Sequence, residues 1–135
     1  MINRMPNDRI YEAARVVFDE ARKDDRPMAF AVADEAGALV HGTLMEGAST
    51  RILRVAVRKA YTAAVMQRDT IVLRDQDAEM GKTLADWGDP MFTHLVGGVV
   101  IRRDGEWCGG AAVGGNTTER DDEVARIALE VLLSG

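Results

Sequence analysis

The spacing of apolar residues along the chain predicts four helices. Apolar residues recur every three or four positions over residues 8–23, over residues 49–67 and after Thr117, which is the period of an amphipathic helix. A shorter helix is predicted over residues 77–86. Residues 68–76 fit either a strand or the start of a helix, because a short apolar run there satisfies both patterns.

Two pairs of apolar runs, each separated by a turn signal, predict two β-hairpins. Residues 28–33 and 38–45 form the first pair, and Gly37 can take the positive φ that the turn requires. Residues 92–103 and 107–113 form the second pair, with an Asp-Gly dipeptide between them. This order of hairpins and helices predicts an α+β fold in which an antiparallel sheet of about five strands is flanked by helices.

The helix predicted over residues 49–67 contains one cation in an unexpected place. Lys59 falls in the middle of the apolar arc of the helical wheel, and Ser49 is a suitable N-cap. A lysine that faces an apolar layer costs several kcal/mol unless its ammonium is paired or reaches solvent. Lys59 is therefore the best local indication of function. The arc contains Ile52, Leu53, Val55, Ala56, Val57, Ala60, Ala63 and Met66.

Three arginines lie on the opposite side of this helix. Arg51, Arg54 and Arg58 follow one another at spacings of three and four, which predicts a stripe that is solvated or faces another subunit. Arg51 is the best placed of the three to bind an anionic ligand, because it lies beside the start of the helix.

Composition and charge narrow the class of protein. The 135 residues are 47% hydrophobic and carry a formal net charge of −5, which is typical of one globular domain over residues 1–135. The acidic balance argues against nucleic acid or an anionic membrane surface as a partner. No apolar run is long enough for a transmembrane helix, and the first residues lack a signal-peptide core, so we expect a cytoplasmic protein.

The cysteine and histidine content argues against a bare metal site. Cys108 is the single cysteine, which excludes an internal disulfide and the multi-cysteine zinc patterns, and we expect its thiol to be buried and inert. His41 and His94 are too far apart to match a short metal-binding motif.

Four segments together resemble a known family. They read AFAVADEAGALV, LMEGASTRILRVAVRKAYTAA, HLVGGVVIRRDGEWCGGAAVGG and RDDEVARIAL in chain order. In these segments the chain is similar to the GlcG/HbpS-like family of small haem-binding and related proteins, a module that also forms the C-terminal domain of PduO-type proteins. The resemblance implies a profilin-like fold with a five-stranded antiparallel sheet, a homo-oligomer and, for some members, bound haem.

Lys59 and two carboxylates are the candidates for chemistry. Lys59 either binds a carboxylate or propionate, acts as an acid or base with a lowered pKa, or forms a structural ion pair with Glu46, Asp34 or Asp121. Glu46 and Asp121 each precede a predicted helix or lie near its start, so they either complement the helix N-terminus or orient Lys59 and shuttle a proton.

Histidines and glycines are the candidates for holding a cofactor. His41 and His94 could each be an axial haem ligand, although an isolated histidine is more often simply hydrogen-bonded. Gly97 and Gly98 are interpreted as close-packing glycines, and they are also where a backbone could approach a planar ligand.

These residues support one principal hypothesis and two alternatives. The principal hypothesis is a binding protein that holds haem or another small anionic ligand between the sheet and the helix of residues 49–67. The first alternative is a cofactor-free isomerase, lyase or hydrolase that acts on a small organic acid in a catabolic pathway, with Lys59 as acid/base or carboxylate anchor and Glu46 or Asp121 assisting. The second alternative is a purely structural assembly partner.

Overall fold

A computed structural model describes residues 4–134 of the chain. The helices are α1 (Asn7–Lys23), α2 (Thr50–Met66), α3 (Thr70–Met80) and α4 (Thr118–Leu133), with a short 3-10 helix at Leu84–Trp87. The strands are β1 (Ala29–Ala33), β2 (Leu39–Leu44), β3 (Gly98–Arg103) and β4 (Glu106–Gly114).

The four strands form one antiparallel sheet in the order β2-β1-β4-β3. The two predicted hairpins are both present, and they join through β1 and β4, where Ala31 lies opposite Ala112. The α+β class is therefore confirmed, but residues 4–134 form four strands rather than the predicted number of about five. The ambiguous apolar run near residue 71 is part of α3, and the second hairpin begins at Gly98 because residues 92–97 form a loop.

Helices cover both faces of the sheet, and the two faces differ in the size of their side chains. On the α1 and α4 face, bulky residues such as Phe30, Ile101 and Val113 pack against Val17 and Val124. This face contains most of the buried apolar volume, so burial there provides the principal hydrophobic stabilisation of the fold.

The face that packs against α2 consists mainly of alanine and glycine. A Cβ added to Gly110 would lie 2.5 Å from the carbonyl oxygen of Ala60, and one added to Gly98 would lie 2.6 Å from that of Lys59. Only glycine leaves room for α2 to pack its backbone this closely onto the sheet. The glycines therefore determine how deeply the side chain of Lys59 enters the molecule.

Local signals at the turns and helix ends account for the element boundaries. Gly37 has a φ of 85°, as the first hairpin turn requires, and Gly81 ends α3 with a φ of 68°. The hydroxyl of Thr117 accepts a hydrogen bond from the backbone N–H of Arg120 and caps α4, whereas Ser49 makes no such side-chain bond at the start of α2. None of the helices in residues 4–134 is long and apolar enough to cross a membrane.

Candidate functional site

Lys59 is buried, and its ammonium bridges three elements of the fold. Lys59 is only 2% exposed. Its Nζ donates hydrogen bonds to the carbonyl oxygen of Val113 at 3.0 Å and to Oδ2 of Asp121 at 3.2 Å. The side chain thus connects α2 to the end of β4 and to the first turn of α4. Of the three carboxylates considered from the sequence, Asp121 is the partner of Lys59.

Asp121 is also buried, and both of its carboxylate oxygens are hydrogen-bonded. Oδ2 accepts from Lys59, and Oδ1 accepts from the backbone N–H of Asn116 at 2.9 Å. The carboxylate lies in the first turn of α4, where the helix dipole favours a negative charge. Asp121 therefore holds the turn between β4 and α4 against Lys59.

Burial shifts the two pKa values of this pair in opposite directions. Burial lowers the pKa of Lys59, although the negative charge of Asp121 partly opposes that change. Burial raises the pKa of Asp121, although Lys59 and the backbone N–H of Asn116 oppose that change. Both shifts favour the neutral forms, so the pair is better suited to accept and return a proton than an exposed ion pair would be.

The pair lies at the buried end of a pocket of about 290 Å³ between α2 and the start of α4. Apolar side chains of α2 form one wall, and the turn after β4 forms the other. The lining residues are Arg26, Arg51, Ile52, Val55, Lys59, Leu95, Gly115, Asn116, Thr118 and Asp121.

The charges that line this pocket are predominantly positive. Arg26, Arg51 and Lys59 contribute three cations, whereas Asp121 is the only carboxylate among the lining residues. Arg26 donates a hydrogen bond to Oδ1 of Asn116 at 3.3 Å, and Arg51 has no hydrogen-bond or ion-pair partner among residues 4–134. The pocket is therefore a locally cationic site on a chain whose net charge is −5.

Glu46 does not reach this site. It is exposed and lines a neighbouring groove, which shares Arg26 with the Lys59 pocket, whereas Lys59 is a buried residue of α2. Among residues 4–134 the hydrogen-bond partners of Lys59 are Val113 and Asp121, so Glu46 is not its ion-pair partner, and assistance from Glu46 stays a prediction.

Gly97 and Gly98 face the protein rather than an open ligand site. A Cβ on Gly97 would lie 2.9 Å from Nζ of Lys59, and the space in front of Gly98 is filled by the backbone of Lys59. Their interpretation as close-packing glycines agrees with this geometry. A planar ligand does not fit against them, because α2 already occupies that position.

His41 lies on the opposite face of the sheet from α2. Its Nε2 lies 2.5 Å from Oγ1 of Thr43, and its ring packs 5.9 Å from the rings of Tyr11 and Phe30. Burial lowers its pKa. His41 therefore cannot serve a ligand held between the sheet and α2.

His94 belongs to a polar cluster that sequence reasoning missed. Its Nε2 lies 2.6 Å from Oδ2 of Asp77, and Asp77 is fully buried in α3. The indole N–H of Trp87 donates to both oxygens of the same carboxylate at 3.1 Å. The available signal was the spacing of four between Leu73 and Asp77, which places a carboxylate on the buried side of α3.

The predicted stripe of arginines divides into separate roles. Arg58 donates hydrogen bonds to the carbonyl oxygens of Pro90 and Phe92 at 3.0 Å and of Met91 at 3.3 Å, so it anchors the loop that precedes β3. Arg54 is exposed, and Arg51 faces the pocket. Cys108 is 1% exposed, in agreement with a buried thiol.

Comparisons with solved structures show close similarity in fold. A double mutant of HbpS from Streptomyces reticuli is 29% identical with a TM-score of 0.84, over 96% of this chain and 87% of that chain. The haem complex of the protein PduOC is 23% identical with a TM-score of 0.85, and the match covers 95% of this chain and 94% of that chain. Protein ORFY from Klebsiella pneumoniae is 20% identical with a TM-score of 0.85, and the match covers 95% of this chain and 90% of that chain.

Comparisons with protein families agree with these structures. A search of curated proteins found no significant match. The family model described as "Haem degrading protein HbpS-like" matches residues 5–130, which is nearly the whole chain. The chain therefore belongs to the HbpS-like family.

Proposed function

We propose that this chain binds a small organic anion, a carboxylate, in the pocket between α2 and the start of α4. The observation that carries the proposal is the convergence of Arg26, Arg51 and Lys59 on one pocket that contains a single, already paired carboxylate. In a chain of net charge −5, such a local excess of cations favours the binding of an anion.

Arg51 and the start of α4 are the groups that would recognise the ligand. The guanidinium of Arg51 has no partner among residues 4–134 and can offer a carboxylate two parallel N–H donors. The first N–H groups of α4 add donors and a positive dipole end on the other side of the pocket. Ile52 and Val55 would contact the apolar part of the ligand.

Calorimetric titration with acetate, oxalate and succinate tests this proposal. At least one of these carboxylates is expected to bind, and Arg51→Gln should weaken that binding about tenfold or more, because it removes a charge-assisted hydrogen bond. Arg54→Gln is the matched control, since Arg54 lies exposed on the same helix outside the pocket. Equal weakening by both variants, or no binding of any of the three, would contradict the proposal.

Haem binding is the second candidate function. The family is described as haem-degrading, and PduOC was solved as a haem complex, which supports this candidate. Haem iron needs an axial side chain such as His, Cys, Met or Tyr, and none of these lines the Lys59 pocket. The Lys59 pocket therefore offers haem iron no such ligand, and haem binding by this chain would need a side chain outside that pocket.

An acid/base enzyme remains the alternative, supported by the opposed pKa shifts of Lys59 and Asp121. Its substrate would be a small organic acid held by Arg51, with Lys59 moving the proton. A folded Lys59→Met variant that retains turnover of such an acid would refute this alternative.

A homo-oligomer is a further part of the proposal. Leu39 is 57% exposed, and side chains of Leu39 and Leu53 lie within 4 Å of the Cβ position of Gly42 on the edge strand β2. This apolar surface supports self-association. Sedimentation velocity should show a mass above that of a single chain, and a monomer at high concentration would contradict this part.

A further inference from the structure

We infer that the pocket beside Lys59 selects a short dicarboxylate over a monocarboxylate, with Arg51 binding one carboxylate of the ligand and Arg26 binding the other. This inference rests on the proposed function, which is the binding of a carboxylate in this pocket, and it names the class of that ligand. It also makes Arg26 the residue that determines the specificity of the site.

The charge of the pocket matches a ligand with two negative charges. Arg26, Arg51 and Lys59 line the pocket together with one carboxylate, that of Asp121, so the ionised groups leave an excess of two positive charges. Lys59 and Asp121 already pair with each other at 3.2 Å, and the excess therefore lies on the two arginines. A monocarboxylate would balance one of these charges, whereas a dicarboxylate balances both.

Both guanidinium groups are available to a ligand. Arg51 and Arg26 are exposed, and neither forms an ion pair within residues 4–134. The hydrogen bond of Arg26 is made to the neutral amide oxygen of Asn116, and at 3.3 Å it is longer than a typical N–H···O bond. A ligand carboxylate that accepts two parallel N–H groups would be a stronger partner for Arg26 than this amide oxygen.

The two arginines reach the pocket from different elements of the fold. Arg51 lies in the first turn of α2, whereas Arg26 follows α1 and is bonded to Asn116 in the turn after β4. Burial raises the pKa of Asp121, and the charge of Arg26 is one of those that oppose this change, so Arg26 acts on the closed end of the pocket. A ligand with a carboxylate at each end can contact both cations at once, and a single carboxylate cannot occupy both positions.

The remaining walls favour a short carbon chain between the two carboxylates. Ile52, Val55 and Leu95 line the pocket, and Leu95 is 46% exposed. Methylene groups are favoured beside such side chains, because the contact removes apolar surface from water. The volume of about 290 Å³ is at the lower end of the range of roughly 300–1,000 Å³ for small-molecule sites. Both observations fit a dicarboxylate with a few methylene groups better than inorganic phosphate.

Calorimetric titration with succinate and butyrate tests the inference, because these acids have the same number of carbons and differ by one carboxylate. The wild-type chain should bind succinate about tenfold more tightly than butyrate or better, and more tightly than inorganic phosphate. Arg26→Gln should remove most of the preference for succinate over butyrate, because Gln keeps a donor for Asn116 but loses the charge. Arg51→Gln should weaken the binding of both acids.

Arg22→Gln is the matched control for Arg26→Gln. Arg22 is exposed in α1 and lines the neighbouring groove rather than this pocket, so its replacement should keep the preference for succinate. Circular dichroism verifies that each variant is folded.

The outcomes separate the class of the ligand from the proposed function. Butyrate binding as tight as succinate binding, with both weakened by Arg51→Gln, would overturn the dicarboxylate assignment and leave the proposed function in place. A preference for succinate that persists in Arg26→Gln would overturn the role of Arg26, and tighter binding of inorganic phosphate would overturn the ligand class. No binding of succinate, butyrate, acetate or oxalate would refute the proposed function and this inference with it.

Discussion

Nζ of Lys59 lies 3.2 Å from Oδ2 of Asp121, and the two side chains are only 2% and 4% exposed. This buried contact joins the middle of α2 to the first turn of α4 across the end of β4. It also places two titratable groups at the closed end of a cationic pocket. The same pair therefore links the packing of the fold to the proposed ligand site.

Replacing Lys59 by Met is expected to destabilise the fold by about 3–5 kcal/mol at neutral pH, because it leaves the buried Asp121 without its cation. Urea unfolding measures the loss. The double variant Lys59→Met/Asp121→Asn should be less destabilised than the sum of the two single variants, because neither charge is then left unpaired. Strict additivity would show that the contact contributes little.

The cost of Lys59→Met should depend on pH in a defined direction. Without Lys59, Asp121 loses a cation that lowers its pKa, so burial raises that pKa further above the unfolded value. The folded variant then binds more protons than the unfolded chain in this window, and its stability falls as pH rises through the raised pKa. The loss of unfolding free energy in Lys59→Met, relative to the wild-type chain, should be small near pH 4 and grow toward neutral pH.

Unfolding curves recorded from acidic to neutral pH measure this effect. The Lys59→Met/Asp121→Asn variant is the control, since it lacks the titrating carboxyl and should lose the pH dependence. A deficit that is the same at every pH would show that Asp121 does not titrate in the pocket.

Gly110→Ala should destabilise the protein by about 1–3 kcal/mol, because its Cβ would lie 2.5 Å from the carbonyl oxygen of Ala60 and force α2 away from the sheet. Thermal unfolding measures the change. Gly42→Ala is the control, since its nearest contact would be an ordinary 3.6 Å to a side chain of Leu53. Similar losses in the two variants would contradict the close packing of α2.

Arg58→Ala should loosen the loop before β3, because it removes hydrogen bonds to the carbonyl oxygens of Pro90, Met91 and Phe92. The free energy of unfolding should fall by about 1–2 kcal/mol, which is less than three buried hydrogen bonds would contribute, because these bonds are partly exposed. Hydrogen exchange should become faster in residues 91–98, and Arg54→Ala should leave it unchanged. Unaltered exchange in Arg58→Ala would show that the loop is held by other contacts.

The hairpins, the amphipathic helices and the misplaced lysine could be predicted from the sequence, because each depends on local spacing. The two hairpin turns, at Gly37 and at the Asp-Gly dipeptide, follow from the φ preferences of glycine alone. The position of Lys59 on the apolar side of its helix follows from the helical period alone. The number of strands was not predicted correctly, because the short apolar run at Ile71 fits two periods equally well and only its neighbours decide between them.

The partners of the candidate residues depended on tertiary structure. Glu46 and Asp121 both lie near helix ends in the sequence, and only the packing of α4 brings Asp121 to Lys59. Asp77, Trp87 and His94 come from three separate segments, so no short motif joins them. Sequence periodicity indicates which side of an element is buried, but it does not indicate which buried groups meet.

The most direct test of the central claim is amide chemical-shift mapping by NMR, with succinate added to the wild-type chain. The claim predicts saturable shifts concentrated in residues 114–121 and at Arg51, which form the anion-binding side of the pocket, and their loss in Arg51→Gln. Shifts scattered over the surface, or a response that is unchanged in Arg51→Gln, would contradict it.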